Sequence, residues 1–267
     1  MNLCEIQARF DRVAAGYEAH DALEREVGQR LLQRLDFVRL PVGRALDLGC
    51  GTGRHAKALR SRFGDAEVVC LDLSPLMLRQ AVEGGTALSD LRPVQGDLCR
   101  LPLAARSFDL VFCNLALQWA ADFGLALAEM RRVLRPEGML LFSVPGSASL
   151  WGLRGRLAPG AGAEMPIYMP ELHEVGDLLV STGFNEPVMD SEMITLSYPS
   201  GKALCSELAV TGAAGFVEFA LGAVQNDPYE VDFEIVYGTA FGAPEGRPVR
   251  SGGGEVVTFS VDHLRRG

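Results

Sequence analysis

Residues 5–36 place apolar side chains about one helical turn apart with charges between them: Ile6, Phe10, Val13 and Tyr17, then Leu23, Val27, Leu31, Leu32 and Leu35. That spacing predicts amphipathic helices joined at Gly16. From residue 44 the pattern changes to short apolar runs alternating with helical stretches. ALDLG (45–49) predicts a buried strand, 53–63 a helix and VVCLDL (68–73) a second strand, followed by Ser74 as N-cap and Pro75 as first helical residue. A short strand near Pro93 to Gln95, the strand FDLVFCNLAL (108–117), a helix over 121–134, an RPEG turn and the strand MLLFSV (139–144) continue the alternation. Strands alternating with helices imply a parallel sheet covered on both faces, an α/β fold.

Residues 145–170 break this order, because VPGSASLWGLRGRLAPGAGAEMPIYMP is rich in Gly and Pro and poor in charge. The stretch reads as a lid-like insertion. LHEVGDLLVSTGF (172–184) then predicts a helix closed by Gly183. A strand over 188–198, an Ala-rich helical region over 202–224, and strands at FEIVYGTAF and VVTFSV (256–261) follow. The expected organisation is one domain over 1–267. It comprises a helical cap (1–40), a half of alternating strands and helices (41–144), the lid (145–170) and a C-terminal half (171–267).

Composition narrows the class. With 48% hydrophobic residues the chain can fill one sizeable core. A formal net charge of −9 argues against a nucleic-acid partner, which would need a basic surface. The six cysteines show neither Cys-x-x-Cys pairs nor zinc spacing, so no metal is expected, and several sit in apolar runs as small core residues. The apolar stretch 110–130 is broken by Asn114, Gln118 and Asp122, and the N-terminus lacks the order of a signal peptide. No membrane span is expected, and a reducing cytoplasm is the expected setting.

The chemistry sits in RALDLGCGTG (44–53). A P-loop would continue Gly-Lys-Ser/Thr, but Gly53 is followed by Arg54 and His55. The dinucleotide spacing G-x-G-x-x-G, counted from Gly49, would need glycine where Arg54 stands. The arrangement is G-x-G-x-G through Gly49, Gly51 and Gly53, with Cys50 in the turn and Asp47 before it. Missing side chains at alternate positions would let the main chain approach a bulky, uncharged part of a ligand. A carboxylate at Asp47 suits an ammonium group better than a diphosphate. The spacing therefore favours a nucleoside that carries an amino acid. Asp72, 19 residues beyond Gly53 and followed by Leu73, stands where a carboxylate can accept both ribose hydroxyl protons. Asp97 can accept from an adenine amino group with Leu98 against the ring, and Asn114 would face the reacting end. Asp72 as a helix cap and Asp97 as a simple Gly-Asp turn are the alternatives.

ALDLGCGTG, LDLSPLML, GDLCRLP and FDLVFCNLALQW resemble the successive motifs of class I S-adenosylmethionine (SAM)-dependent methyltransferases. Further stretches (RFDRVAAGYEAHDALEREV, NLALQW, LHEVGDLLVSTGFNEPVMDSEMITLSYPSGKAL, the T-G-A at 211–213, VYGTAFGAP) are similar to the malonyl-acyl-carrier-protein O-methyltransferase family. The likeness covers about residues 9–262. It implies a Rossmann-like seven-stranded sheet with helices on both faces and SAM as cofactor. It also implies esterification of the free carboxylate of malonyl-acyl-carrier protein, or malonyl-CoA, at the start of pimelate synthesis for biotin. A carboxyl group with a pKa of roughly 4 is already ionised at neutral pH, so the implied reaction needs no general base. Tyr17 matches a tyrosine of the family motif, and Gln118 and Trp119 follow the fourth strand, where substrate and methyl group should meet. His20 fits the motif as a substrate-positioning residue. An acidic carrier needs a local basic patch, for which Arg154 and Arg156 in the lid, or the cluster Arg131, Arg132 and Arg135, are candidates. Another acceptor (a quinone ring or a small polycarboxylate), or a SAM-binding assembly or hydroxylation factor, is the alternative reading.

Overall fold

The computed structural model describes residues 2–83, 91–150, 168–211, 228–244, 249–251 and 254–256. Helix α1 (Leu3–Val13) starts with a capping box in which the Asn2 side chain accepts the Glu5 amide and the Glu5 carboxylate accepts the Asn2 amide. The expected joint at Gly16 is a 3-10 segment, Ala14–Ala19, which leads into α2 (Ala22–Gln33). Val27, Leu31 and Leu35, one helical turn apart, are shut off from solvent as the periodicity predicts.

The alternating region forms β1 (Arg44–Leu48), α3 (Arg54–Arg62), β2 (Glu67–Asp72), α4 (Pro75–Glu83), β3 (Leu91–Gln95), β4 (Phe108–Asn114), α5 (Phe123–Val133) and β5 (Leu134–Pro145). Ser74 caps α4, its Oγ accepting the Met77 amide at 3.1 Å. Then come α6 (Leu172–Thr182), β6 (Asn185–Tyr198), α7 (Gly201–Val210) and β7 (Tyr229–Phe241), with a two-stranded ribbon of β8 (Val249–Ser251) and β9 (Gly254–Val256). The main sheet has seven strands in the order β3-β2-β1-β4-β5-β7-β6. Strands β1 to β5 pair in parallel, and β7 runs antiparallel between β5 and β6.

Alternate residues of β4 feed two apolar layers. Leu110 and Phe112 pack with α2, α3 and α7 through residues such as Leu31, Leu59 and Leu204. Val111 and Cys113 pack with α5 and α6 through Leu127, Met130, Val175 and Leu179. A sheet buried on both faces explains why its strands read as continuous apolar runs.

Several boundaries differ from expectation, among them the strand over 108–117, which ends at Asn114 and is followed by a 3-10 turn at Leu117–Trp119. The RPEG turn lies inside β5: β4 passes from Phe108 to Leu110 while β5 passes from Leu134 to Met139, so the turn bulges out of the ladder with Glu137 at a positive φ of 60°. Strand β6 begins at Asn185, and a register shift before Val188 hides that start from the alternation. Of the expected helix over 202–224, Gly201–Val210 is helical and 212–224 lies outside the described residues, as does 257–261 of the last expected strand. Among the described residues no helix is long and apolar enough to cross a membrane.

Gly238 of β7 pairs with Phe142 of β5, and a Cβ added there would stand 2.2 Å from the Phe142 ring. Phe142 is fully buried, so it has no room to yield. Gly238→Ala is expected to lower the unfolding free energy by roughly 1–3 kcal/mol in a urea titration, through overpacking of the β5–β7 seam.

Candidate active site

At the carboxyl end of β1 the chain turns sharply through Gly49–Gly53. The amides of Gly49 and Cys50 both donate to the Leu71 carbonyl, at 2.8 and 3.0 Å. The Gly51 amide donates to Asp72 Oδ2 at 2.9 Å, and Asp72 Oδ1 accepts the Ser74 amide at 2.8 Å. One carboxylate thus braces two loops, while capping of α4 falls to Ser74. All three glycines have positive φ, but their missing side chains serve different ends. A Cβ on Gly49 would stand 2.2 Å from Ala116 Cβ, and one on Gly53 2.7 Å from Ala81 Cβ. Only at Gly51 is there nothing within 4 Å. The expectation that every second position clears room for a ligand is therefore corrected. Gly49 and Gly51 both line the cleft, but only at Gly51 is there open space where a Cβ would stand, whereas at Gly49 and Gly53 the missing Cβ lets neighbouring elements close in.

The cleft beyond this turn encloses about 930 Å³, its open mouth included. Tyr17, Cys50, Asp72, Leu73, Asp97 and Leu98 line it, as do Asn114 and Trp119. Helix α1 forms one wall with Leu3, Ile6 and Phe10. Phe10 meets Trp119 edge-on with ring centroids 5.3 Å apart, and the Arg9 guanidinium lies 5.9 Å from the centre of the Trp119 ring. Asp97 Oδ1 accepts the Cys99 amide at 3.0 Å, so the Gly-Asp turn considered as an alternative is present while Asp97 still lines the cleft. Asn114 is largely committed within the protein. Its Nδ2 donates to the Glu24 carbonyl at 2.9 Å and its Oδ1 accepts from Ser143 Oγ at 2.9 Å.

Other expected residues sit elsewhere. Asp47 is 1% exposed at the end of β1, and its Oδ2 has no hydrogen-bond partner among the described residues. Gln118 is buried, its Nε2 donating to the Leu115 carbonyl at 2.7 Å. His20 lines a separate groove with Tyr198, Ala203 and Glu207. Arg154 and Arg156 lie outside the described residues. The cluster at 131–135 is not an open basic patch: Arg131 donates to the Gly183 carbonyl, Arg132 pairs with Glu129 at 2.6 Å, and Arg135 pairs with Asp109.

Sequence reasoning missed the acids of α2. Asp21, 3% exposed, occupies the N-cap position but does not cap, because its Oδ2 takes Arg54 NH2 at 2.7 Å and Nε at 3.1 Å. Glu18 adds a carboxylate 3.7 Å from Arg54 and accepts from Thr52 Oγ1 at 2.9 Å. Glu24, three residues on from Asp21, lines the cleft, and its Oε2 is buried with no hydrogen-bond partner among the described residues. The available signal was a pair of acids spaced i, i+3 at the start of an amphipathic helix.

These groups give the cleft an acidic character. Burial pushes Asp72 up to about 6, partly offset by the Ser74, Gly51 and Leu73 amides. Burial likewise raises Glu24 to about 8, with Glu207 and Asp21 adding to it. Tyr17 is raised well above its usual range by burial and by Glu24, Asp21 and Asp72, so its hydroxyl keeps its proton. His55 is lowered to about 4 by burial and by Arg54, so it is neutral. Arg54, the guanidinium in the cleft wall, is held by carboxylates. Such a site suits a ligand with positive charge.

Residues 46–142 match the family described as "Methyltransferase domain". Over 280 residues the chain is 36% identical to the malonyl-acyl-carrier-protein O-methyltransferase of Halorhodospira halophila, a match covering 98% of this chain and 95% of that one. The chain belongs to the malonyl-acyl-carrier-protein O-methyltransferase family. A second family member, from Laribacter hongkongensis, is 38% identical over 95% of this chain and 94% of its own. Among solved structures, phosphoethanolamine N-methyltransferase 2 of Haemonchus contortus in complex with S-adenosyl-L-methionine superposes with a TM-score of 0.62 at 18% identity, covering 91% of this chain and 60% of that one. The YcgJ protein of Bacillus subtilis gives 0.61 at 17%, covering 82% and 99%. These likenesses show the Rossmann-like methyltransferase fold that the motifs imply.

Asp47 carries a consequence for stability. Burial is the largest cause of its rise to about 7, the Ala56 amide opposes it and Asp72 adds to it. In the unfolded chain the group ionises near ~4, so between about 4 and 7 the native state holds a proton the unfolded state has lost. Stability falls as pH rises through that interval, and the penalty is constant above it. Asp47→Asn is therefore expected to raise the unfolding free energy by roughly 1–4 kcal/mol at pH ~8 and to change it little near pH ~4, read from urea titrations at both.

Proposed function

We propose that the cleft binds SAM and that the protein methylates the free carboxylate of a malonyl group carried on acyl-carrier protein, opening the pimelate route to biotin. The acid-rich cleft beside an open glycine turn carries the cofactor reading. The residues fit such a ligand. Gly51 faces space that a Cβ would fill, two carboxyl oxygens of cleft-lining residues (Asp21 Oδ1, Glu24 Oε2) have no hydrogen-bond partner among the described residues, and Arg54 is neutralised. SAM supplies a methyl group on a sulfonium, which a carboxylate oxygen can displace in line.

Asp72, with two of its acceptor positions used by Gly51 and Ser74, keeps further lone pairs for a ribose hydroxyl. Asp97 and Leu98 serve the adenine end. The Tyr17 hydroxyl, held protonated, is a neutral donor able to orient the malonyl carboxylate without quenching it as an ammonium would. Leu3, Ile6, Phe10 and Trp119 keep water from the reacting atoms. Ring methylation would need a base. His20 lies in another groove, His173 is exposed and paired with Glu171, and His55 near 4 is a weak one.

The carrier docks, in this reading, on α1. Arg9 and Arg12 are close enough for their charges to act on each other. Among the described residues neither is paired with a carboxylate, and Arg9 overlies Trp119 at the cleft. An acidic carrier would meet this pair first.

The deciding experiment supplies methyl-labelled SAM with malonyl-acyl-carrier protein or malonyl-CoA. Alkali-labile label on the carrier is the expected result, and absence of transfer to either thioester overturns the reading. The double reversal Arg9→Glu/Arg12→Glu is expected to lower kcat/KM for the carrier substrate roughly tenfold or more while calorimetric SAM affinity stays unchanged.

A further inference from the structure

Glu24 is a half-buried acid of the cleft to which the reading above assigns no role. Its position is built from the sheet. Asn114 Nδ2 holds the Glu24 carbonyl at 2.9 Å, Asn114 Oδ1 accepts from Ser143 Oγ at 2.9 Å, and Ser143 Oγ accepts the Leu115 amide at 3.1 Å. The first turn of α2 is thereby pinned to the carboxyl ends of β4 and β5, and the Glu24 side chain enters the cleft wall. Its Oε2 is shut off from solvent and has no hydrogen-bond partner among the described residues.

The groups facing it are mostly acidic or neutral. Asp21 approaches from the start of α2, Glu207 from α7, Tyr198 from β6 and Tyr17 from the 3-10 segment, with Asp72 beyond Tyr17. The guanidinium groups nearby are engaged: Arg54 of α3 pairs with Asp21 and Glu18, and Arg25 lies 3.9 Å from Asp21 and acts on Glu207, which His20 also faces. His55, also of α3, is neutral. An ionised carboxylate without a counter-charge is costly to bury, and an anionic substrate would be repelled by the same surroundings. What relieves both is a cation. Consistent with this, Glu24 is pushed up to about 8, first by burial, then by Glu207 and Asp21.

We propose that Glu24 is a ligand-contacting residue whose carboxylate becomes the counter-charge to the cationic amino-acid and sulfonium end of SAM, releasing its proton to solvent as that end enters. The inference rests on the SAM reading of the cleft. In this step the O–H bond of the carboxylic acid breaks, the proton passes to buffer and no electrons move. Through this group alone, apparent affinity falls by up to about tenfold for each pH unit below ~8.

The test is calorimetry of the full chain with SAM at pH ~7 in phosphate and in Tris, whose different ionisation heats count protons released. Wild type is expected to release about one proton more than Glu24→Gln, since at pH ~7 a group near 8 is mostly protonated. Other linked groups, including Asp47, Asp72 and the ammonium of the ligand, act in both proteins and cancel in the difference. Wild type titrated with adenosine, which lacks the cationic end, is expected to release about one proton fewer than with SAM. That arm keeps the proposal open to refutation if the variant does not fold. Equal proton counts for wild type and Glu24→Gln, or for SAM and adenosine, overturn the role of Glu24 while leaving SAM binding in place. Absence of SAM binding to wild type overturns this inference together with the cofactor reading.

Discussion

The Asp72 carboxylate accepts one amide from the glycine turn after β1 and one from the loop after β2, and the site is organised around that clamp. The turn is otherwise anchored by two amides on the Leu71 carbonyl, so the carboxyl ends of two parallel strands are locked together. Open α/β sheets form ligand crevices where such ends converge. The clamp gives this crevice a rigid floor, and Gly51 leaves that floor bare of side chains. It also holds a carboxylate at the cleft wall with its remaining lone pairs available.

A second constraint comes from the N-terminal helices. Phe10 on Trp119, Arg54 on Asp21 and Asn114 on the Glu24 carbonyl tie α1 and α2 to the sheet through an aromatic contact, an ion pair and a hydrogen bond. These contacts bring Tyr17, Asp21 and Glu24 to the cleft alongside Asp72 and Asp97. Burying so many acids near one another opposes folding at neutral pH, as the raised values at Asp47, Asp72 and Glu24 show. A cationic ligand would relieve that cost, so the same electrostatics that weaken the free protein favour occupancy.

Much of this was legible in the residues. The alternation of strands and helices, the caps at Ser74 and Gly183, and the acids at the ends of β2 and β3 follow from short-range rules of spacing and backbone conformation. The roles within the glycine motif were less legible. Positive φ at Gly49, Gly51 and Gly53 is a local requirement, but which of them has open space beside it depends on Ala116 and Ala81, far along the chain. The need of an acidic carrier for a local basic patch suggested arginine clusters as docking surfaces, yet Arg131, Arg132 and Arg135 are spent on Gly183, Glu129 and Asp109.

By itself the sequence determined the fold class, the glycine turn and the strand-end acids Asp72 and Asp97, because hydrophobic period and turn chemistry act over a few residues. Only the tertiary structure decided which charges remain unpaired. Asp21 meets Arg54, and Glu24 is left facing Glu207 and Tyr17, through contacts between segments distant in the chain. The state of a buried acid depends on its partners and on the water it has lost, and neither is written in the spacing of its neighbours.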